Sequence, residues 1–580
     1  MKDSWDELEQ YRGTWIAGEW PTISERFHLS AHLYPNSSCF TTFYPKELSL
    51  TYTEVEEFVN KTADYLIQSG IEPGDKVILT GKNSPYWGIA YLAILDAGAV
   101  IVPLDYQLDN TTIERLIQAS SAKALFVDKE KYQDLAIQGP TKIGIRISLS
   151  PDCDNFIMDL TARHRKKPKK DENDLAAILF TSGTTGNEKG VMLTHKNFIS
   201  DAYQAGHPMF LDVSHDDIWY ALLPLHHSYC MTAVFLVGIM FGSEIVFASR
   251  RAVPQIMKDL RMGHITVLMG IPLLFNKVLQ GMMKQIRAKG VIINFVVGFM
   301  MRVSGLIKKI TKRNYGKKIF AALLLKANLE NLRILICGGG PLAPETFRRY
   351  NQLGLDFVQG YGLTETSPML TLNPSSHFKV HSVGKVFPLV DMKIIDPDDN
   401  GIGEITVKGP NITTGYYNNQ EATDELFTED GYLRTGDLGY LDDENYLYLT
   451  GRKKSLIVTE GGKNIFPEEI EDHFQLNQQI EQILVRGYIV NKETQAEGIE
   501  AVIFPNIEYF TSEGVYNRQM IVEELKDLIL EHNKDFLFYK RIQRLRVLDK
   551  QMEKTTTQKI KRLKVDAMIK ASDPGILKKI

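Results

Sequence analysis

The sequence predicts an α/β protein of mostly parallel sheets that gives way to an antiparallel, barrel-like region and ends in a smaller α+β unit. Three observations carry this prediction. Between about residues 77 and 360, strand-like apolar runs alternate with helix-like segments, the pattern of α/β layers. After about residue 380, strands follow one another through turns. The last ~125 residues mix strands with a helix expected over 519–532.

Taken in order, Lys76-Val77-Ile78-Leu79-Thr80 reads as a strand and 85–97 as a helix opened by Pro85, whose missing N–H does no harm in a first turn. Val100-Ile101-Val102-Pro103-Leu104 is again strand-like, 111–120 helical, and Ala122-Lys123-Ala124-Leu125-Phe126-Val127 the next strand. The charged stretch 163–172 predicts a solvated connector; a nucleic-acid patch would interleave aromatics, and it has none. Leu332-Arg333-Ile334-Leu335-Ile336-Cys337 predicts a buried strand that ends in Gly338, Gly339 and Gly340 before a helix. No G-x-G-x-x-G dinucleotide fingerprint is present there. Residues 403–410 and 431–450 supply the antiparallel strands, and neither an internal repeat nor a low-complexity tract occurs.

Composition bounds the function. With 580 residues the chain has room for three or four domains. A composition 44% hydrophobic and 24% charged excludes wholesale disorder. The net charge of −4 gives no general case for a nucleic-acid partner. Cys39, Cys153, Cys230 and Cys337 form no C-x-x-C pair, which excludes a disulfide scaffold or zinc ribbon and suits a reducing cytoplasm. The acidic start, Asp3 to Glu9, has no apolar core of a secretory signal. No uninterrupted apolar run approaches the roughly 18 residues of a membrane span.

The strongest chemical signal is Ile178-Leu179-Phe180-Thr181-Ser182-Gly183-Thr184-Thr185-Gly186-Asn187-Glu188-Lys189-Gly190. An apolar strand runs into hydroxyls interleaved with glycines, then a lysine. Glycines let successive N–H groups turn toward phosphate oxygens, hydroxyls donate, and the lysine neutralises charge. It is not a Walker A loop, because no Gly-Lys-Ser/Thr follows at that spacing.

Residues 181–190 resemble the phosphate loop of the adenylate-forming superfamily, which contains acyl-CoA synthetases, luciferases and peptide-synthetase adenylation domains. Further matches follow in the family's order. Gln359-Gly360-Tyr361-Gly362-Leu363-Thr364-Glu365-Thr366 is similar to its second core motif, and Tyr432-Leu433-Arg434-Thr435-Gly436-Asp437-Leu438-Gly439 to its third. Gly451-Arg452-Lys453-Lys454, followed by Gly461-Gly462-Lys463-Asn464, resembles the hinge region. The resemblance covers roughly residues 40 to 565. It implies a large N-terminal domain, 1–450, of two α/β subdomains plus a β-barrel-like subdomain. A small α+β lid, 451–580, would follow.

The implied reaction is attack of a carboxylate on the α-phosphorus of ATP, expelling pyrophosphate and leaving an acyl-adenylate. Mg²⁺ would take oxygen ligands from Glu365 and from Thr181 or Thr184, as hard cations prefer. Thr181, Ser182, Gly183, Thr184, Thr185, Gly186 and Lys189 would hold the phosphates. By the same resemblance the adenine would lie against Gly338, Gly339 and Gly340, with Tyr361 stacked on it and Gln359, Gly360, Gly362 and Thr364 beside it. Asp437 has two carboxylate oxygens for the ribose hydroxyls, with Arg452 and Lys454 nearby. Lys559 aligns with the family's lysine that swings over the α-phosphate. Two departures flank it: Gln558 stands where the family has glycine, and Glu553 where it has proline. Pro224-Leu225-His226-His227-Ser228-Tyr229 resembles the motif bordering the acyl pocket, with His227 at the family's histidine position.

Segment 281–330 holds eleven Lys/Arg and one acid. Its apolar run 291–301 is too short to span a bilayer. Val303, Leu306, Ile307 and Ile310 then share a helical face opposite Lys308, Lys309, Lys312 and Arg313, a basic amphipathic pattern that fits a membrane surface. Long-chain fatty acyl-CoA synthetases resemble the chain most at 450–454 and 461–464. The expected activity is therefore an AMP-forming long-chain fatty acid–CoA ligase using ATP, Mg²⁺ and coenzyme A, cytoplasmic or peripheral on the inner face of a membrane through 291–318. The alternatives are transfer to a carrier-protein phosphopantetheine, another carboxylic acid as substrate, and a non-enzymatic lipid-binding protein.

Overall fold

The computed structural model describes residues 5–580 apart from 134, 136–142, 183–187, 249, 251, 460–462, 492–495, 556, 557 and 573. Two large sheets hold most of the chain. In the first, strands Lys76–Thr80, Val100–Leu104, Ala124–Val127 and Ile145–Ser148 run parallel, and Leu175–Ser182 adds to Val100–Leu104 in the same sense. The chain then doubles back, and Glu188–Thr194 pairs antiparallel with Leu175–Ser182, setting Thr181 opposite Lys189. In the second sheet Ser38–Thr42, Glu244–Phe247, Ile218–Ala221, Val267–Gly270, Ile334–Cys337 and Asp356–Gly362 are successive parallel neighbours. Parallel strands are covered on both faces, which is why Val77, Ile78 and Leu79 are all apolar and all buried.

Helix Pro85–Asp96 shows how the sheets are joined. Ser84 caps it by accepting from the Trp87 N–H, and Pro85 sits at its start. It is buried along its length and touches strands of both sheets. Gly88 is needed for that contact, since a Cβ there would meet the Phe40 ring at 2.8 Å.

The antiparallel region consists of Asp391–Ile395, Gly403–Lys408, Leu433–Leu441 and Leu447–Arg452. It is continued onto the second sheet by a bridge between Lys385 and Tyr446. Beyond Arg452 a further sheet contains Ile480–Asn491, Ala496–Pro505, Arg544–Val547 and Ile576–Lys579. Helix Arg518–His532 packs Ile521, Val522, Leu525 and Ile529 into its core. This C-terminal part meets the rest where Gln475 Nε2 donates to the Pro341 carbonyl at 3.1 Å, and Gln280 Nε2 to that of Leu476 at 3.4 Å.

Two segments differ from the sequence expectation. The charged connector is not fully solvated: Lys167 Nζ lies 2.6 Å from Asp64 Oδ1, and Lys170 Nζ 2.9 Å from Asp96 Oδ1. Asp96 ends a buried helix and also faces His28 at 3.3 Å, whose other nitrogen is 2.7 Å from Glu56. Burial opposes a charge on His28, but its bonds to Asp96 and Glu56 outweigh this and raise its pKa to about 9. A buried carboxylate needs paired cations, and the connector supplies them.

The second difference is in the basic insert. The apolar run continues into one helix, Val291–Thr311, of 21 residues, long and apolar enough to cross a membrane by length and composition. Hydroxyl and lysine positions interrupt the apolar run in sequence without interrupting the helix. Lys308 is not on a solvated face either. It is buried, with Nζ 2.6 Å from Asp356 Oδ1 and 2.7 Å from Asn351 Oδ1.

Candidate active site

The hairpin of the first sheet brings Thr181 and Lys189 side by side, with Thr181 Oγ1 donating to the Lys189 carbonyl at 3.4 Å. Ser182 closes the first strand; Gly183, Thr184, Thr185 and Gly186 lie outside the described residues. Lys189 Nζ stands 4.8 Å from the centre of the Tyr416 ring. The Tyr416 hydroxyl in turn donates to Glu365 Oε1 at 2.8 Å. Strand Gly415–Tyr416 reaches this position because it pairs with Glu188–Thr194, and the Thr413 N–H fixes the Glu365 carbonyl at 2.9 Å. Burial, and then the Glu365 charge, push the Tyr416 pKa well up, so its hydroxyl keeps its proton.

A second chain of contacts joins motifs far apart in sequence. Tyr361, at the end of Asp356–Gly362, donates to Asp437 Oδ2 at 2.7 Å. Asp437 is buried, and its Oδ1 lies 3.1 Å from Arg452 Nε across the antiparallel pairing of their strands. Each carboxylate oxygen has two lone pairs, so both can still accept from a ribose. Lys454 follows on the exposed turn Lys453–Ser455. Gln359 is buried within its strand, and Thr364 accepts from the Ser228 hydroxyl at 3.3 Å. Gly360 and Gly362 are required by the protein itself: a Cβ would meet the Thr371 carbonyl oxygen at 2.9 Å and that of Pro368 at 1.6 Å respectively.

The three glycines after Ile334–Cys337 divide. A Cβ on Gly338 would meet the Tyr229 hydroxyl at 2.6 Å, so a protein ring already explains that glycine. Gly339 has φ +78°, which favours glycine, and beside Gly340 the nearest atom to such a Cβ is 3.8 Å away on Pro272. The open approach expected for a flat ligand is at Gly340 rather than Gly338.

Lys559 enters from the C-terminal part. It is open to solvent, yet the protein around it, and then the charge of Arg452, bring its pKa down to about 8 against the opposing pull of Asp437. The loop that presents it is fastened at its base: the Lys561 N–H donates to the Glu553 carbonyl at 2.9 Å, and the Glu553 carboxylate pairs with Lys561 and Lys564. Glu553, where the resembled family has proline, thus supplies an ionic fastening. Gln558 adopts φ +65°, the left-handed conformation a glycine takes without strain. His227 is held neutral, its pKa lowered to about 4 by burial, then by the charges of His226 and Lys559. Its Nδ1 is buried with no hydrogen-bond partner among the described residues.

The contacts thus tie Lys189 to Glu365 through Tyr416, and Tyr361 to Arg452 through Asp437, with Lys559 near enough to feel the charges of Arg452 and Asp437. Sequence reasoning missed Tyr416, which bonds Glu365 and lies against Lys189, and gave no role to Tyr229, whose ring fills the space beside Gly338. Among the described residues no cluster of three His, Cys, Asp or Glu forms a metal cage. Glu365 and Thr181 offer oxygen donors only, which suits Mg²⁺, an ion that completes its shell with water and substrate phosphates.

A buried carboxylate bonded to a tyrosine and an arginine, with a lysine close by, and a strand pair that sets Thr181 beside Lys189 make a site suited to an anionic, hydroxyl-bearing ligand. The chain belongs to the AMP-binding enzyme family, whose profile matches residues 27–417, and is an AMP-forming acid–CoA ligase. Among its relatives is the long-chain-fatty-acid–CoA ligase FadD15 of Mycobacterium bovis, 28% identical over 76% of this chain and 75% of that one. A feruloyl-CoA synthase from an Amycolatopsis species is 27% identical over 78% and 82%. The ATP-bound crystal structure of MatB from Rhodopseudomonas palustris superposes with a TM-score of 0.74, at 24% identity, over 94% of this chain and 99% of that one.

Proposed function

We propose that the protein joins a long-chain fatty acid to coenzyme A in two steps. In the first, a carboxylate oxygen attacks the α-phosphorus of ATP, the bond to the β-phosphate oxygen breaks, and pyrophosphate leaves. In the second, the coenzyme A sulfur attacks the acyl carbon, AMP departs, and the thiol proton passes to solvent. The observation that carries this reading is the meeting of Tyr361 from the second sheet, Asp437 and Arg452 from the antiparallel region and Lys559 from a C-terminal loop.

In this reading Asp437 holds the ribose, with Arg452 beside it. Thr181, Ser182, Gly183, Thr184, Thr185, Gly186 and Lys189 take the phosphates. Lys559 offsets the charge that develops as pyrophosphate leaves. Glu365 and Thr181 would hold Mg²⁺, which when bound neutralises phosphate charge. Neutral His227 borders the acyl group, where an apolar chain gains nothing from a charge. The long-chain preference draws on the likeness to FadD15, a long-chain-fatty-acid–CoA ligase. An aromatic acid is the second reading, favoured by the feruloyl-CoA synthase at nearly the same identity.

ATP–pyrophosphate exchange with acetate, octanoate, palmitate and ferulate separates these readings. Exchange greatest with palmitate supports the first and greatest with ferulate the second. Exchange without thioester formation on adding coenzyme A points to a carrier-protein acceptor, and no exchange with any acid to a binding protein.

A further inference from the structure

Helix Val291–Thr311 turns its apolar side away from the protein. Ile292, Phe295, Phe299, Val303, Leu306 and Ile310 are all exposed, and their spacing of three or four residues makes one stripe along the helix. Phe295 is 73% exposed and Ile310 71%, values far from those of core residues. At 1.5 Å per residue the helix is about 32 Å long. A stripe of that length on a water-facing helix marks an interaction site.

The opposite side is fixed to the protein by apolar packing of Met301 and Val297 and by polar contacts. Met301, Ser304 and Lys308 are its buried residues. Lys308 is bonded to Asn351 and Asp356, and Gly305 lies so close to the neighbouring helix that a Cβ would meet Gln352 at 2.9 Å. A helix held this way cannot enter a bilayer end-on without stranding the Lys308 ammonium and the Asp356 carboxylate in hydrocarbon. It can enter one lengthwise. Exposed bases stand at both ends, with Lys284, Arg287 and Lys289 before the helix, Lys309 in its last turn, and Lys312 and Arg313 after it. Glu330 is the one acid in 281–330.

We propose that this stripe is a docking surface for an anionic lipid bilayer, with the helix lying in the membrane plane, Ile292 to Ile310 among the acyl chains and the basic ends on the headgroups. The charge complementarity selects lipid over a second copy of the chain, whose same surface is equally basic. The inference rests on this surface alone and not on which acid is activated.

The test is flotation of the full-length protein with phosphatidylcholine vesicles, with and without phosphatidylglycerol, over a range of salt. The wild type is expected to float with the anionic vesicles, more strongly at low salt. Replacing Ile292, Phe295 and Phe299 by serine should weaken binding roughly a hundredfold at every salt concentration. Replacing Lys309, Lys312 and Arg313 by glutamine should weaken it roughly a hundredfold at low salt only. Circular dichroism and ATP–pyrophosphate exchange in vesicle-free solution would show that both variants fold. Failure of the wild type to float, or equal flotation of the serine variant, would overturn the proposal. So would sedimentation of the wild type as a dimer that the serine changes dissociate while vesicle binding is absent.

Discussion

Tyr416→Phe is the most direct probe of how Glu365 is held. The substitution keeps the ring beneath Lys189 and removes only the hydroxyl that donates to Glu365 Oε1 at 2.8 Å. A hydrogen bond to a charged acceptor contributes about 1.5–3 kcal/mol. Glu365 is partly accessible to water, which can replace the donor, so the lower end applies: about 1.5 kcal/mol, or roughly tenfold. The loss should fall on metal affinity, because groups that orient a metal-binding carboxylate typically contribute 10–100-fold there. The Mg²⁺ concentration for half-maximal ATP–pyrophosphate exchange should rise roughly tenfold, with the rate at saturating Mg²⁺ nearly unchanged. Equilibrium binding of Mn²⁺ and ATP, followed by electron paramagnetic resonance without turnover, should weaken in step. Unchanged metal dependence in both assays would refute the role given to Tyr416 and with it the assignment of Glu365 to the metal.

Two pH dependences follow from other groups. Lys559 is charged below its pKa of about 8, so kcat/KM for ATP should fall about tenfold per unit above that pH; Lys559→Arg should move the falling limb upward, and an identical limb in that variant would show another group titrating. Lys559→Ala should slow adenylation by about 10²–10³ while sparing thioester formation from supplied acyl-adenylate. The pKa of His28 is raised to about 9 by Asp96 and Glu56, while Lys170 and Lys167 also face Asp96. Its stabilising contribution, about 3 kcal/mol, is complete below pH 6.5 and lost as pH rises through 9. Urea midpoints should therefore drop over that window in the wild type and much less in His28→Gln; parallel curves would remove His28 from the account.

The parallel strands were legible because burial on both faces leaves a continuous apolar run, as in Val77-Ile78-Leu79, and the helix at Pro85 because its cap and proline are local. The mutual positions of Asp437 and Arg452 were not in any periodicity; they came through resemblance, and strand pairing accounts for them. Tyr416 was illegible, since its place depends on a two-residue strand pairing with a hairpin more than two hundred residues earlier. The insert shows the limit of hydrophobic patterning: a stripe at helical spacing looks the same whether it faces core or water. Here the side facing the core carries Lys308, whose partners Asn351 and Asp356 lie more than forty residues away.

Arg452 and Lys559 carry like charges close enough for each to feel the other. Asp437 offsets only part of their repulsion, so without a further anion the pair works against bringing the C-terminal part close. A polyphosphate reverses that sign, since each cation is then drawn to the same charge. Closure and nucleotide binding become one linked equilibrium, in which each favours the other by the same free energy. In the proposed reaction, loss of pyrophosphate removes most of that negative charge, and the two cations again repel. In that reaction the same electrostatics would favour a site drawn shut on ATP and pushed open once the adenylate remains.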